Sequence, residues 1–154
     1  MQRRTTPARR QRGVALVETV LVSPLLLFLL VVGAEVTNAW IDHNTLTKSA
    51  RNGVRHLAST AVQGTQGVVV LTPLVVSQTR NLVVFGNTIG SGSPVLPGLA
   101  IGNVLVQDLG ENNIQVSVSY AYNGILGNSL PSFGFGSDNS LALNLQATVS
   151  MRAL

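Results

Sequence analysis

Residues 14–34 form an apolar run, and no other feature constrains this chain as strongly. A helix that crosses a bilayer needs about 20 such residues. Five arginines stand before the run (Arg3, Arg4, Arg9, Arg10 and Arg12), and no further lysine or arginine follows until Lys48. Under the positive-inside rule that asymmetry holds the N-terminal end in the cytoplasm. Arg9, Arg10 and Arg12 lie closest to the membrane and carry the orienting role. Residues 1–12, polar and basic with Pro7, are expected to be disordered. Inside the run, Pro24 follows Ser23. A membrane helix tolerates such a proline as a kink, because a nearby hydroxyl can satisfy the carbonyl it frees. Glu18 lies near the start of the run. A carboxylate there is costly, which argues for a function.

Charge excludes one class of partner. The formal net charge is +4, but five arginines and no acid fall in the first 12 residues. The rest carries five basic residues (Lys48, Arg51, Arg55, Arg80 and Arg152) against six acidic ones. The body is therefore about neutral. A nucleic-acid binder spreads its cations over a folded face, so nucleic acid is not a partner. The chain has no cysteine, which excludes disulfides, thiolate catalysis and thiolate metal sites. The exported part must therefore hold together by packing.

Beyond the run the pattern becomes amphipathic. Leu46, Ala50, Val54, Leu57, Ala58 and Ala61 recur at spacings of three and four, one helical stripe. Asn44, Thr45, Lys48, Arg51, Asn52 and Arg55 take the other face. This predicts one continuous helix over residues 14–60, with Val54, Leu57 and Ala58 packing it on a sheet. Gly53 interrupts the stripe at a cost of about 1 kcal/mol relative to alanine. Two readings stand side by side: a close approach to the sheet, or a tolerated glycine.

Residues 63–67 read as a linker. Residues 68–71 favour a strand, yet Leu71, Leu74, Val75, Gln78, Leu82 and Phe85 follow helical spacing. A short helix over 72–85 is predicted, stopped by Gly86-Asn87. Residues 86–98 are turn-rich. Strands are predicted at 103–109, 114–122 and 141–151, each with period-two alternation, separated by a turn at 110–113 and a long loop at 123–139. One face of that sheet is apolar and the other polar, as an antiparallel sheet permits.

The fold class is thus α+β. A long N-terminal helix, transmembrane in its first half and amphipathic in its second, packs on a small antiparallel β-sheet. The divisions are a basic leader (1–13), a transmembrane helix (14–38), its amphipathic extension (39–62) and an exported α+β domain (63–154).

No catalytic constellation, metal site or cofactor site emerges, and the chain reads as no enzyme with no small-molecule substrate. His43 and His56 share the helix without an acid placed to complete a metal site with both. Asp42 adjoins His43 but points elsewhere. Asp108, Glu111 and Asp138 lie in or near turns. The glycine-rich stretches at 90–93 and 134–136 lack the strand–helix setting of a phosphate site. Phe133 and Phe135 read as loop anchors rather than a partner contact, the other reading of the same residues.

The most specific motif is Gly13 followed by the apolar run with Glu18 at its fifth position. It resembles the signal of type IV prepilins, a basic leader, a glycine and a hydrophobic helix with glutamate at position five. Arg-Arg-Gln-Arg-Gly-Val-Ala-Leu-Val-Glu at 9–18, Pro24-Leu25-Leu26-Leu27, Glu35 and Ala50-Arg51-Asn52-Gly53-Val54-Arg55 resemble the TadE-like family, minor pseudopilins of tight-adherence (Flp) pilus systems. The resemblance is tight over residues 9–60 and loose beyond.

It implies a pilin-like fold and cleavage by a prepilin peptidase between Gly13 and Val14. It implies a bacterial inner-membrane location, with the N-terminus cytoplasmic and the C-terminal domain periplasmic or extracellular. It also implies a role for Glu18 in assembly with other pilin or pseudopilin subunits and the pilus machinery. A freed Val14 amine, with a reference pKa of about 7.7–8.0, is mostly cationic and suits a neighbouring subunit's Glu18. The family's aromatic residue after the glutamate is here Thr19. Two other readings of the same segment are a soluble binding protein released by ordinary signal peptidase, at Val32-Gly33-Ala34 or Thr37-Asn38-Ala39, and an uncleaved single-pass anchor. Glu18, Pro24 and an apolar segment longer than the usual signal core of about 7–15 residues weigh against the first.

Overall fold

The computed structural model describes residues 10–62, 69–125, 127, 129–130, 139–140 and 142–153. Arg3, Arg4, Arg9, the linker read at 63–67, Phe133, Phe135 and Asp138 lie outside them. Helix α1 runs over Arg10–Thr60. It begins earlier than the sequence pattern predicts, so residues 10–12 are helical where disorder was expected. Arginine and glutamine are good helix formers, and no breaker stands between Pro7 and Gly13. The chain divides into two compact units, Met1–Thr37 and Asn38–Leu154, and the division falls within α1.

In the second unit, α2 spans Pro73–Phe85. Its ends are set by local chemistry. The Thr72 hydroxyl accepts a hydrogen bond from the Val75 N–H at 3.3 Å, and Pro73 occupies the first turn, where its missing donor costs nothing. Gly86 closes the helix in the left-handed region, at φ 73°, with its N–H donating to the Leu82 carbonyl. A side chain is disfavoured in that conformation. The strand tendency of residues 68–71 survives only as an isolated bridge between Val62 and Val69.

Among the described residues five strands follow: β1 (Val104–Gly110), β2 (Asn113–Ala121), β3 (Ser129–Leu130), β4 (Asn139–Ser140) and β5 (Asn144–Arg152). β1, β2 and β5 form an antiparallel sheet in that order. The β1–β2 hairpin closes through Glu111 and Asn112, both at positive φ (52° and 60°). That is the twist a two-residue hairpin requires. β3 and β4 pair inside what reads as one long loop. Two-residue strands are too short to show a period in sequence. The last strand starts at Asn144, later than the alternation suggests.

Register places the apolar faces together. Val116 pairs with Val106 on one side and Val149 on the other; Val118 pairs with Val104 and Ala147; Ile114 pairs with Met151. From Asn113 to Tyr120 the residues of β2 alternate between half-buried and buried. The opposite face is polar, with Ser117 and Thr148 hydroxyls 3.1 Å apart and the Ser119 hydroxyl donating to Asn144 Oδ1 at 3.1 Å.

The buried sheet residues join Leu46, Ala50, Val54 and Leu57 of α1, Ala61 just past its end, and Val75, Val83 and Val84 of α2, in one core. Burying each such Val, Leu or Ile is worth about 1.5–3 kcal/mol. Val54 and Leu57 are fully buried, and Ala58 is half-buried against the same core.

Gly53 does make a close approach, but to α2 rather than to the sheet. A Cβ added there would collide with the Val83 side chain and come within 3.6 Å of the Thr79 methyl. Gly53→Ala gains about 1 kcal/mol of helix propensity. Forcing an extra carbon into a packed site costs about 1–3 kcal/mol. Val83 is fully buried, with the fully buried Thr79 beside it, and has little room to yield, so the steric cost prevails. Gly53→Ala is expected to lower the thermal midpoint of the full chain in detergent; an unchanged or higher midpoint would show that α2 gives way.

An exposed apolar helix with one carboxylate

The first unit consists of one helical face after another turned outward. Val14, Leu16, Val17, Val20, Leu21, Val22 and residues 25–27, 29 and 30 are all exposed. The most apolar stretch of α1 has a mean hydropathy of 2.5, with none of it buried. α1 is thus long and apolar enough to cross a membrane. Water is a poor solvent for so much contiguous apolar surface.

Pro24 does not break this helix. Its ring nitrogen has no proton to give the Val20 carbonyl, the acceptor one turn back. The Ser23 hydroxyl donates to that same carbonyl at 3.4 Å. The Thr19 hydroxyl donates to the Ala15 carbonyl at 2.8 Å, and that of Thr37 to the Gly33 carbonyl at 2.8 Å. Each hydroxyl is satisfied within the helix, so a polar Thr19 after the glutamate is compatible with apolar surroundings.

Glu18 is exposed. It shares a shallow surface groove with Thr19, Val22, Ser23 and Leu26. Its carboxylate is therefore presented to whatever lies beside α1. The second carboxylate, Glu35, is buried, at 6% exposure. Five residues before Glu18, Gly13 has no atom within 4 Å of where a Cβ would stand, and Val14 beside it is exposed. The side chains of Arg10 and Arg12 lie outside the described residues, as does all of Arg9.

In the second unit one electrostatic contact escaped the sequence pattern. Burial raises the Asp42 carboxyl above its ordinary pKa. Burial also raises the Tyr120 phenol, and the negative charge of Asp42 adds to that rise. The phenol donates to the Pro97 carbonyl at 3.0 Å. Asp42 and Tyr120 are distant in the chain, so no local spacing reveals this electrostatic coupling. His43 and His56 are both half-buried. Among the described residues no group of three or more His, Asp or Glu is placed to hold a metal ion.

No curated protein and no solved structure matches the chain. Residues 13–55, from the glycine of the motif through Arg55 on the polar face of α1, match the family model described as TadE-like protein.

Proposed function

We propose that this chain is a minor pseudopilin that takes part in building a tight-adherence, type IV-like pilus. The TadE-like match suggests a protein associated with such a pilus. The observation that carries the finer reading is the spacing of Gly13 and Glu18 on one exposed apolar helix. A prepilin peptidase cuts after Gly13 on the cytoplasmic side of the bacterial inner membrane. Val14 becomes the N-terminus, α1 crosses the membrane over about residues 14–38, and residues 63–154 are delivered to the periplasmic or extracellular side. Arg9, Arg10 and Arg12 hold the leader in the cytoplasm. Glu18 then aligns the span with neighbouring pilin or pseudopilin subunits, drawn to a cationic N-terminal amine. Val54, Leu57 and Ala58 hold the exported domain to the same helix.

The cut is testable at Gly13. No neighbouring atom excludes a side chain there, so Gly13→Leu leaves the fold intact and meets its obstacle only in a narrow peptidase site. In cells with the peptidase, the variant is expected to accumulate as the uncut precursor, one leader longer than the parent on a gel. Normal maturation of Gly13→Leu would overturn the assignment of Gly13.

A further inference from the structure

We propose that the indole of Trp40 sits in the headgroup layer at the far side of the bilayer, where it ends the membrane-embedded part of α1 and fixes the depth of the span. The inference rests on α1 being a spanning helix, as proposed above. Trp40 is the only tryptophan in the chain. It is 68% exposed, although bulky aromatic rings usually find cover in a folded domain.

Its face of the helix changes character at that point. One turn before it Val36 is exposed, and beside it Ile41 is exposed. One and two turns beyond it, Asn44 and Lys48 are exposed instead. The apolar surface therefore ends with Trp40 and Ile41. On the other side of the helix, Ala39 packs against the core and Leu46 is fully buried. The indole is thus turned away from the core of its own unit.

Distances along the helix agree. At 1.5 Å per residue, residues 14–34 span roughly 31 Å, the thickness of the hydrocarbon layer. The Trp40 Cα stands about 9 Å further on, whereas the headgroup region adds roughly 5–8 Å on each side. Helical side chains lean toward the N-terminus. That lean draws the ring back by several ångströms into the headgroup layer. An indole, apolar in body with one N–H donor, prefers that layer to both oil and water.

A single tryptophan makes the test direct. The full chain is reconstituted into phosphatidylcholine vesicles, and its fluorescence is quenched separately by lipids brominated near the headgroup end of the acyl chain, lipids brominated near the chain end, and acrylamide in the water. The expected result is emission blue-shifted from that of indole in water, with the shallow bromines quenching most. Water-like emission quenched by acrylamide alone would overturn the proposal. So would stronger quenching by the deep bromines. Blue-shifted emission that no lipid quenches would assign the indole to a protein contact, a second copy for instance, and overturn it too. Flotation of the same vesicles separates the layers of the argument. A chain that fails to float removes the spanning helix and the proposal together, whereas a floating chain with water-like emission removes only the proposal.

Discussion

Leu57→Ala is expected to lower the unfolding free energy of the second unit by about 3 kcal/mol, within the range of about 2–5 kcal/mol for buried leucines. Leu57 is fully buried in the core shared with β2 and α2. Truncation removes the transfer energy of its lost carbons and leaves a hole. Four residues to either side stand Gly53 on α1 and Ala61 just past its end, which carry no side chain able to swing into that hole. A domain of this size is stable by about 5–15 kcal/mol, so the loss is a large fraction of the whole. The measurement is urea unfolding of the full chain in detergent micelles, with a lower midpoint and an unchanged slope. Arg51→Ala, on the exposed face of the same helix, should stay within about 0.5 kcal/mol of the parent. Equal midpoints for the two variants would mean that the α1 stripe does not hold the core.

Glu18→Ala is expected to reduce fibre yield at least about tenfold, the equivalent of roughly 1.4 kcal/mol of assembly energy. It should leave membrane insertion intact or better. A charged side chain costs about 2.5–3.5 kcal/mol at the centre of a spanning helix on insertion scales, and less toward its ends, where Glu18 stands. Removing it relieves that cost, so insertion alone gives no reason for the residue to be there. The groove beside Glu18 is formed by the helix itself, and the carboxylate is exposed. On the proposed function, its use lies in a neighbouring subunit. Piliation is scored by shear fractions and electron microscopy, and insertion by resistance to alkaline extraction. Full piliation of Glu18→Ala would remove Glu18 from assembly.

The parts of the fold that local chemistry determines were legible in the residues alone. Helical spacing places the start of α2 near Thr72, and Gly86 marks its end because left-handed backbone is a local demand. The alternation of Ile114, Val116, Val118 and Tyr120 marks β2 because a strand needs no distant information to show its faces. The core stripe from Leu46 to Ala61 follows from helical spacing in the same way.

What stayed hidden depends on distant approach. Gly53 looks the same in sequence whether it meets a sheet or a helix; only the arrival of Val83 and Thr79 gives it a cause. Asp42 and Tyr120 are far apart in the chain, and their electrostatic coupling arises only in the folded unit. Glu18 and Glu35 are both carboxylates in an apolar run, yet one is exposed and the other buried. Of the functional site, the Gly13–Glu18 spacing was readable, and the exposure that makes Glu18 available to a partner was not.

Mass spectrometry of the mature N-terminus, on protein purified from a cell that carries the pilus system, tests the central claim most directly. A chain beginning at Val14 is the expected result, since it requires a cut after Gly13 and leaves a free amine four residues from Glu18. A chain beginning at Glu35 or Trp40 would instead identify an ordinary signal sequence, and one still beginning at Met1 or Gln2 an uncut anchor; either contradicts a processed pseudopilin.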